Sequence, residues 1–203
     1  MSSRDPGGQG RGIGVLVSGE GTNLQALIDD GLPIAAVASN RSGARALGRA
    51  AAAGLPARAF ELEDYPDRAA RDAEMAEWLR EHDVDLVVCA GYMQLLTDSF
   101  LSAFPERIVN VHPSLLPAFP GTRAIEDALA AGAETTGVTV HIVDAGIDTG
   151  PVLEQRPVPV EPRDTLEERI HAVEHNLLPK VVRELLGASE PLLRPRGRRG
   201  QYG

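Results

Sequence analysis

Hydrophobic and polar positions follow two rhythms along this chain, and the order of the rhythms predicts the fold. Uninterrupted apolar runs at "IGVLVS" (13–18), "IAAVAS" (34–39), "DLVVCA" (85–90) and "RIVNVH" (107–112) read as strands buried on both faces. "ARAF" (57–60) is a weaker strand between them. Helical spacing fills the intervals. One helix covers "TNLQALIDDG" and stops at Gly31, and another covers "GARALGRAAAAG" and closes at Gly54. A third, "DRAARDAEMAEWLREHD" (67–83), puts Ala70, Ala73, Met75, Ala76 and Leu79 on or near one face. A short helical piece lies near "TDSFLSAF", and a further helix covers "TRAIEDALAAG". Later the rhythm changes. "TGVTVHIVD" (136–144) alternates strictly, and Pro157 and Pro159 confine "VLEQRPVPV" (152–160) to a sheet edge. The last helix, "TLEERIHAVEHNLLPKVVRELLG", contains Pro179, which predicts a kink.

Strands joined by helices predict an α/β fold: a mostly parallel twisted sheet with helices on both faces. The alternating and Pro-rich strands suggest a less regular C-terminal part, in which antiparallel pairing is an option. In such open sheets ligands sit beyond the carboxyl ends of strands, where the strand order reverses. Residues directly after strands therefore carry the functional information.

Composition narrows the function. The 203 residues suit a single domain, placed at 13–187, between a disordered lead-in (1–12) and a flexible basic tail (188–203). A net charge of −9 argues against nucleic acid or an anionic membrane as partner, though not against a small anion held by backbone N–H groups. The single cysteine, Cys89, lies in an apolar run and can form no internal disulfide, so a reducing, cytoplasmic location is expected. No secretory or membrane-spanning stretch is visible, and no sequence pattern settles between monomer and homodimer.

Three polar clusters follow strands. In "SGEGTN" (18–23), Gly19 and Gly21 allow a tight turn, and the N–H groups of Gly21, Thr22 and Asn23 open a helix, a place that favours an anion. The loop is neither a Walker A motif nor a dinucleotide fingerprint, since Leu24 stands where the fingerprint needs Gly, so a monophosphate fits best. The plain alternative is a capped turn that binds nothing. In "NVHPSLLPAFPG" (110–121), Asn110 and His112 share one strand face just before Pro113 ends the strand. An amide and a protonated imidazole supply two N–H donors suited to an oxyanion, against the alternative of a core histidine with satisfied hydrogen bonds. In "HIVDAGIDTGP" (141–151), Asp144 or Asp148 near His112 would favour its charged form over the free value of ~6.5. The same aspartates with His112 and His141 also compose a possible metal ligand set, but no spacing such as H-E-x-x-H supports one.

"SGEGTNLQ", "AGYMQLL", "NVHPSLLPAFPG" and "DAGIDTGPV", in this order, resemble the phosphoribosylglycinamide formyltransferases across about residues 12–187. The resemblance implies a Rossmann-like formyltransferase fold. It implies transfer of the formyl group of 10-formyltetrahydrofolate to the amine of glycinamide ribonucleotide, giving formylglycinamide ribonucleotide and tetrahydrofolate in purine (IMP) synthesis. The family's catalytic trio falls on Asn110, His112 and Asp148, with Asp148 keeping the histidine charged. Its ribonucleotide site falls on Gly21, Thr22, Asn23 and Glu174. Its folate site falls on Arg68, Met93, Gln94, Leu95, Leu96, Asn110 and the loop Asp144, Ala145, Gly146, Ile147 and Asp148. The partners implied are small-molecule substrates, without metal, nucleic acid or membrane. The chain departs from the family in two places. Gln94 stands where Arg or Lys is frequent, which removes a cation near the folate, and "TRAIED" replaces a histidine-containing stretch, which leaves open the contacts of Thr122 and Arg123. Competing readings are a formyltetrahydrofolate hydrolase and a non-catalytic module that binds a phosphorylated metabolite; the related methionyl-tRNA formyltransferases carry an extra C-terminal RNA domain for which no room is expected here.

Overall fold

A computed structural model describes residues 12–187. The lead-in up to residue 11 and the basic tail from 188 lie outside the described residues, whereas Gly12 belongs to the first strand.

Seven strands form one sheet: β1 (Gly12–Val17), β2 (Ile34–Ser39), β3 (Ala57–Ala59), β4 (Val84–Cys89), β5 (Ile108–His112), β6 (Thr135–Ile142) and β7 (Val152–Pro159). Six helices connect or flank them: α1 (Thr22–Asp29), α2 (Arg45–Ala52), α3 (Arg68–Glu81), α4 (Asp98–Leu101), α5 (Ala124–Ala130) and α6 (Leu166–Gly187). The spatial order is β3-β2-β1-β4-β5-β6-β7. The first five strands are parallel, and β6 and β7 run antiparallel to their neighbours. β7 is an edge, as its prolines require.

Alternation along β1 explains the layers. Ile13, Val15 and Val17 face a core completed by Leu24 and Leu27 of α1, Ala46 and Ala50 of α2, and Ile170, Leu178 and Val182 of α6. Leu16 faces the opposite core, with Met75 and Leu79 of α3 and with Phe100 and Phe104 at α4. Burying each such aliphatic side chain contributes about 1.5–3 kcal/mol, so both faces of the sheet need their helices.

One expectation about a helix face changes. α3 begins because the Asp67 side chain caps it, accepting from the Ala70 N–H at 2.8 Å. Its buried face holds Met75, Ala76 and Leu79 as expected, but Ala73 is exposed while Arg71 and Asp72 are fully buried. α6 continues through Pro179, which is itself buried, so the proline does not end the helix.

The strand order reverses between β1 and β4, and a single hydroxyl ties their carboxyl ends together. Ser18 N–H donates to the Gly91 carbonyl at 3.2 Å. Ser18 Oγ accepts from the Met93 N–H at 2.8 Å and donates to Asn40 Oδ1 at 2.6 Å. The functional clusters flank this junction.

Candidate active site

The β1–α1 turn is built on one glycine. Gly21 has φ 73° and caps α1, and a Cβ there would lie 2.6 Å from the Ala46 Cβ of α2. Gly19 has no such need, because it lies outside the left-handed region and a Cβ would meet nothing. No side chain caps α1, so the N–H groups of its first turn are left for another acceptor. Asn23 is buried and donates from Nδ2 to Glu174 Oε2 at 3.0 Å, which brings a residue 151 positions away into the turn. Its Oδ1 is buried without a partner. Burial pushes the Glu174 carboxyl above its ordinary value, against the Asn23 hydrogen bond and the nearby His171. These residues line a cavity of about 860 Å³ that also contains Gly21, Thr22 and His171.

Asn110 and His112 project from the end of β5 onto one face. His112 is buried, its Nε2 lies 2.8 Å from the Phe119 carbonyl, and its Nδ1 lies 3.4 Å from Asp148 Oδ2. Both neighbours can only accept, so an imidazole that satisfies both carries a proton on each nitrogen. The loop 113–122 is held in place to make this contact. Thr139 Oγ1 donates to the Ser114 carbonyl at 2.7 Å and accepts from the Leu116 N–H at 3.1 Å. Gln155 adds a donor to the Leu116 carbonyl at 2.8 Å.

Asp148 sits at φ 54°, an uncommon conformation for a residue with a side chain. Its Oδ2 accepts from the Gly121 N–H at 2.8 Å, and its Oδ1 lies 3.6 Å from His141 Nε2. The His141 ring, then the Gly121 N–H and the charge of His112, hold the carboxyl down at about 2 despite partial burial. Asp144, the other aspartate of this loop, turns inward on it and accepts from the Gly146 N–H at 3.0 Å and Thr149 Oγ1 at 2.8 Å. Of the two aspartates, Asp148 is the one beside the histidine.

His141 is the functional neighbour that sequence reasoning placed only in a metal set. In the antiparallel register of β5 and β6 it stands opposite Asn110, and its Nε2 is 3.1 Å from Asn110 Nδ2. Its Nδ1 is 2.9 Å from the Ile142 carbonyl, which requires N–H there and leaves Nε2 to accept from Asn110. An Asp148 contact would ask for a proton on the same Nε2. At 3.6 Å it is the longer of the two, so Nε2 sits between the Asn110 amide and the Asp148 carboxylate. Among the described residues, no group of three or more His, Cys, Asp or Glu is arranged to hold a metal ion.

A second cavity, of about 360 Å³, is lined by this trio together with Met93, Gln94, Leu95, Leu96 and the loop Asp144, Ala145, Gly146, Ile147. Met93, Leu95 and Ile147 are largely exposed, so its mouth offers apolar surface to a flat ligand. Arg68 is not part of its wall; it donates to the Leu95 carbonyl from outside. Gln94 is held from behind, where the buried Arg71 Nη1 donates to Gln94 Oε1 at 2.8 Å. Thr122 lines both cavities, while Arg123 faces solvent and pairs with Asp127 at 3.5 Å. The two cavities share Gly91, Met93, Gln94, Val111, Pro113 and Thr122, so they join at the end of β5, beside Asn110 and His112 of the smaller one.

The formyl transferase family model matches residues 11–182. A phosphoribosylglycinamide formyltransferase of Bacillus subtilis is 41% identical over 182 residues, covering 85% of this chain and 93% of the relative. One from Mycobacterium tuberculosis is 46% identical, covering 84% and 83%. A crystal structure of glycinamide ribonucleotide transformylase 1 from Geobacillus kaustophilus superposes with TM-score 0.85 at 47% identity, covering 88% of this chain and all of that one. With two joined cavities, a histidine and an amide beside their junction, and these relatives along nearly its whole described length, the chain belongs to the phosphoribosylglycinamide formyltransferases of the formyl transferase family.

Proposed function

We propose that this enzyme transfers a formyl group from 10-formyltetrahydrofolate to the amine of glycinamide ribonucleotide, as a step of purine synthesis. The observation that carries the reading is the shared wall. A transfer enzyme must seat two ligands so that their reacting atoms meet, and here the cavity of the phosphate-type loop and the apolar slot share a wall at Val111 and Pro113, the chain neighbours of His112.

The ribonucleotide phosphate is assigned to the uncapped first turn of α1 at Gly21, Thr22 and Asn23. Glu174 and the free Asn23 Oδ1 are acceptors, matched to the hydroxyl groups of a ribose. The folate occupies the smaller cavity, with Met93, Leu95 and Ile147 against its rings and the backbone of the loops 93–96 and 144–148 at its polar edge. Conjugated rings suit these exposed apolar residues, and a metal has no assigned part.

When an amine adds to a formyl carbon, the carbonyl oxygen takes on negative charge. Asn110 Nδ2 has two N–H groups, and one remains after His141 takes the other. His112 Nδ1–H faces Asp148 at 3.4 Å, long enough that the proton can be shared with a second acceptor. These are the two donors assigned to the oxygen. Asp148 stays ionised throughout the neutral range and balances the charge of His112. It is also the acceptor placed to hold a water that carries a proton from the new ammonium to the leaving nitrogen. The buried Cys89, whose thiol burial pushes up to about 12, fits a reducing cytoplasm and has no chemical task here.

An assay with both substrates, run with and without glycinamide ribonucleotide, tests the proposal. Formylated ribonucleotide should form, and release of tetrahydrofolate should depend on the acceptor. Release at the same rate without acceptor would identify a hydrolase instead.

A further inference from the structure

The row of side chains that starts at His112 continues across two further strands. In the antiparallel register His112 stands opposite Thr139 of β6, and Thr139 stands opposite Gln155 of β7. Residues paired in this way project to one face of a sheet, so the row runs from the trio to the sheet edge. Neither Thr139 nor Gln155 lines either cavity, and the chemistry above gives Gln155 no task.

The loop after β5 lies over this row. Leu115 rests on Gly137, where a Cβ would come within 2.6 Å of its Cδ2. The buried Thr139 hydroxyl has one proton and two lone pairs, and all three are used. It donates to the Ser114 carbonyl at 2.7 Å, and it accepts from the Leu116 N–H at 3.1 Å and from Gln155 Nε2 at 2.9 Å. Gln155 Nε2 also donates to the Leu116 carbonyl at 2.8 Å. A carbonyl can only accept, which fixes the amide with its NH2 toward the row. The hydroxyl must then accept on that side, and its own proton is committed to Ser114. Ser114 Oγ in turn donates to the Ala118 carbonyl at 2.6 Å. The next residue, Phe119, has φ 53°, a region that a residue with a Cβ rarely enters, and its carbonyl lies 2.8 Å from His112 Nε2. Such a conformation persists only where its surroundings impose it.

We propose that Gln155 is a positioning residue for His112: from the edge strand, its amide sets the direction of the hydrogen bonds that hold the loop 113–119 and so aims the Phe119 carbonyl at the ring. The inference rests on the part assigned to His112 in formyl transfer.

Gln155→Leu removes both N–H groups, and Gln155→Glu removes them while keeping the shape. A carboxylate at this position also draws the Thr139 proton away from Ser114. Each variant should lower kcat roughly tenfold, the value of one hydrogen bond, with both KM values retained. The loss is smaller than that expected for His112→Ala, because the imidazole is still present. Val158→Ala is the control for a loosened strand: it empties buried space on β7, so it should lower the melting temperature with kcat kept. Thr139→Val should lower kcat as well, and adding Gln155→Leu to it should cost little more, because both act through one string of bonds. An unchanged kcat in both Gln155 variants, an effect confined to a KM, an equal kcat loss in Val158→Ala, or full multiplication of the two losses would overturn the proposal. Proton NMR without substrates reads the same contact where no transfer is measured. The His112 ring N–H signal, assigned by its loss in His112→Gln, should persist in the parent at neutral pH and vanish by exchange with water in either Gln155 variant. Its absence from the parent, or its persistence in the variants, overturns the inference. An inactive parent whose signal vanishes in the variants overturns only the function assigned above.

Discussion

The role proposed for His112 follows from what surrounds each of its nitrogens. With Phe119 on one side and Asp148 on the other, the ring is held by two acceptors and cannot rotate without losing one. His112→Ala should lower kcat by about 10²–10³ with little change in either KM, as expected when an oxyanion donor is lost. Asp148 carries a pH signature of its own. Its folded value of about 2 is below the ordinary 3.8, so its stabilising contribution is present above 3.8 and is lost as pH falls toward 2. Urea denaturation of the parent and Asp148→Asn should therefore show a stability gap that is constant near neutrality and closes over that acid window. Glu174 behaves oppositely. Its raised value means that the buried carboxylate is a cost at neutral pH, and that its favourable contribution is lost as pH rises through the folded value. Glu174→Gln keeps an acceptor for Asn23 and removes the charge. Thermal melting at pH 7 should show a gain on the order of 1 kcal/mol, or ~2–4 °C, while ribonucleotide affinity falls.

Elements carry the site through a few close approaches. Gly21 meets two demands at once, a left-handed φ of 73° and contact with Ala46. Gly21→Ala should destabilise the protein by about 1–3 kcal/mol and raise the ribonucleotide KM more than the folate KM, measurable by denaturation and by steady-state kinetics. Apolar runs and alternation located every strand among the described residues to within a residue or two, most firmly β1, β2, β4 and β5, because strands buried on both faces leave a strong trace in sequence. It also located Asn110 and His112, since polar residues ending an apolar strand have few other reasons to be there. Arg71 and Asp72 were not legible. A binary pattern sends charged residues to solvent, and only the tertiary pairing with Thr97 and Gln94 reveals why these two are inside. His141 was missed as the partner of Asn110 for a related reason: their meeting depends on the antiparallel register of β5 and β6, which strand identities alone do not fix.

At the scale of the whole molecule, the reversal of strand order places both cavities beyond the carboxyl ends of the central strands, and Ser18 joins them. Its hydroxyl holds the Met93 N–H, on the wall that both cavities share, and the Asn40 side chain of the larger one. Ser18→Ala should therefore raise the apparent KM for both substrates, each by a few-fold, whereas a defect confined to one would show the tie to be local. A fold that fastens two recognition surfaces with one oxygen atom cannot easily trade either surface independently. Lineages that adopt a new acceptor are then expected to retune their one-carbon source as well, so that changes of specificity arrive in pairs.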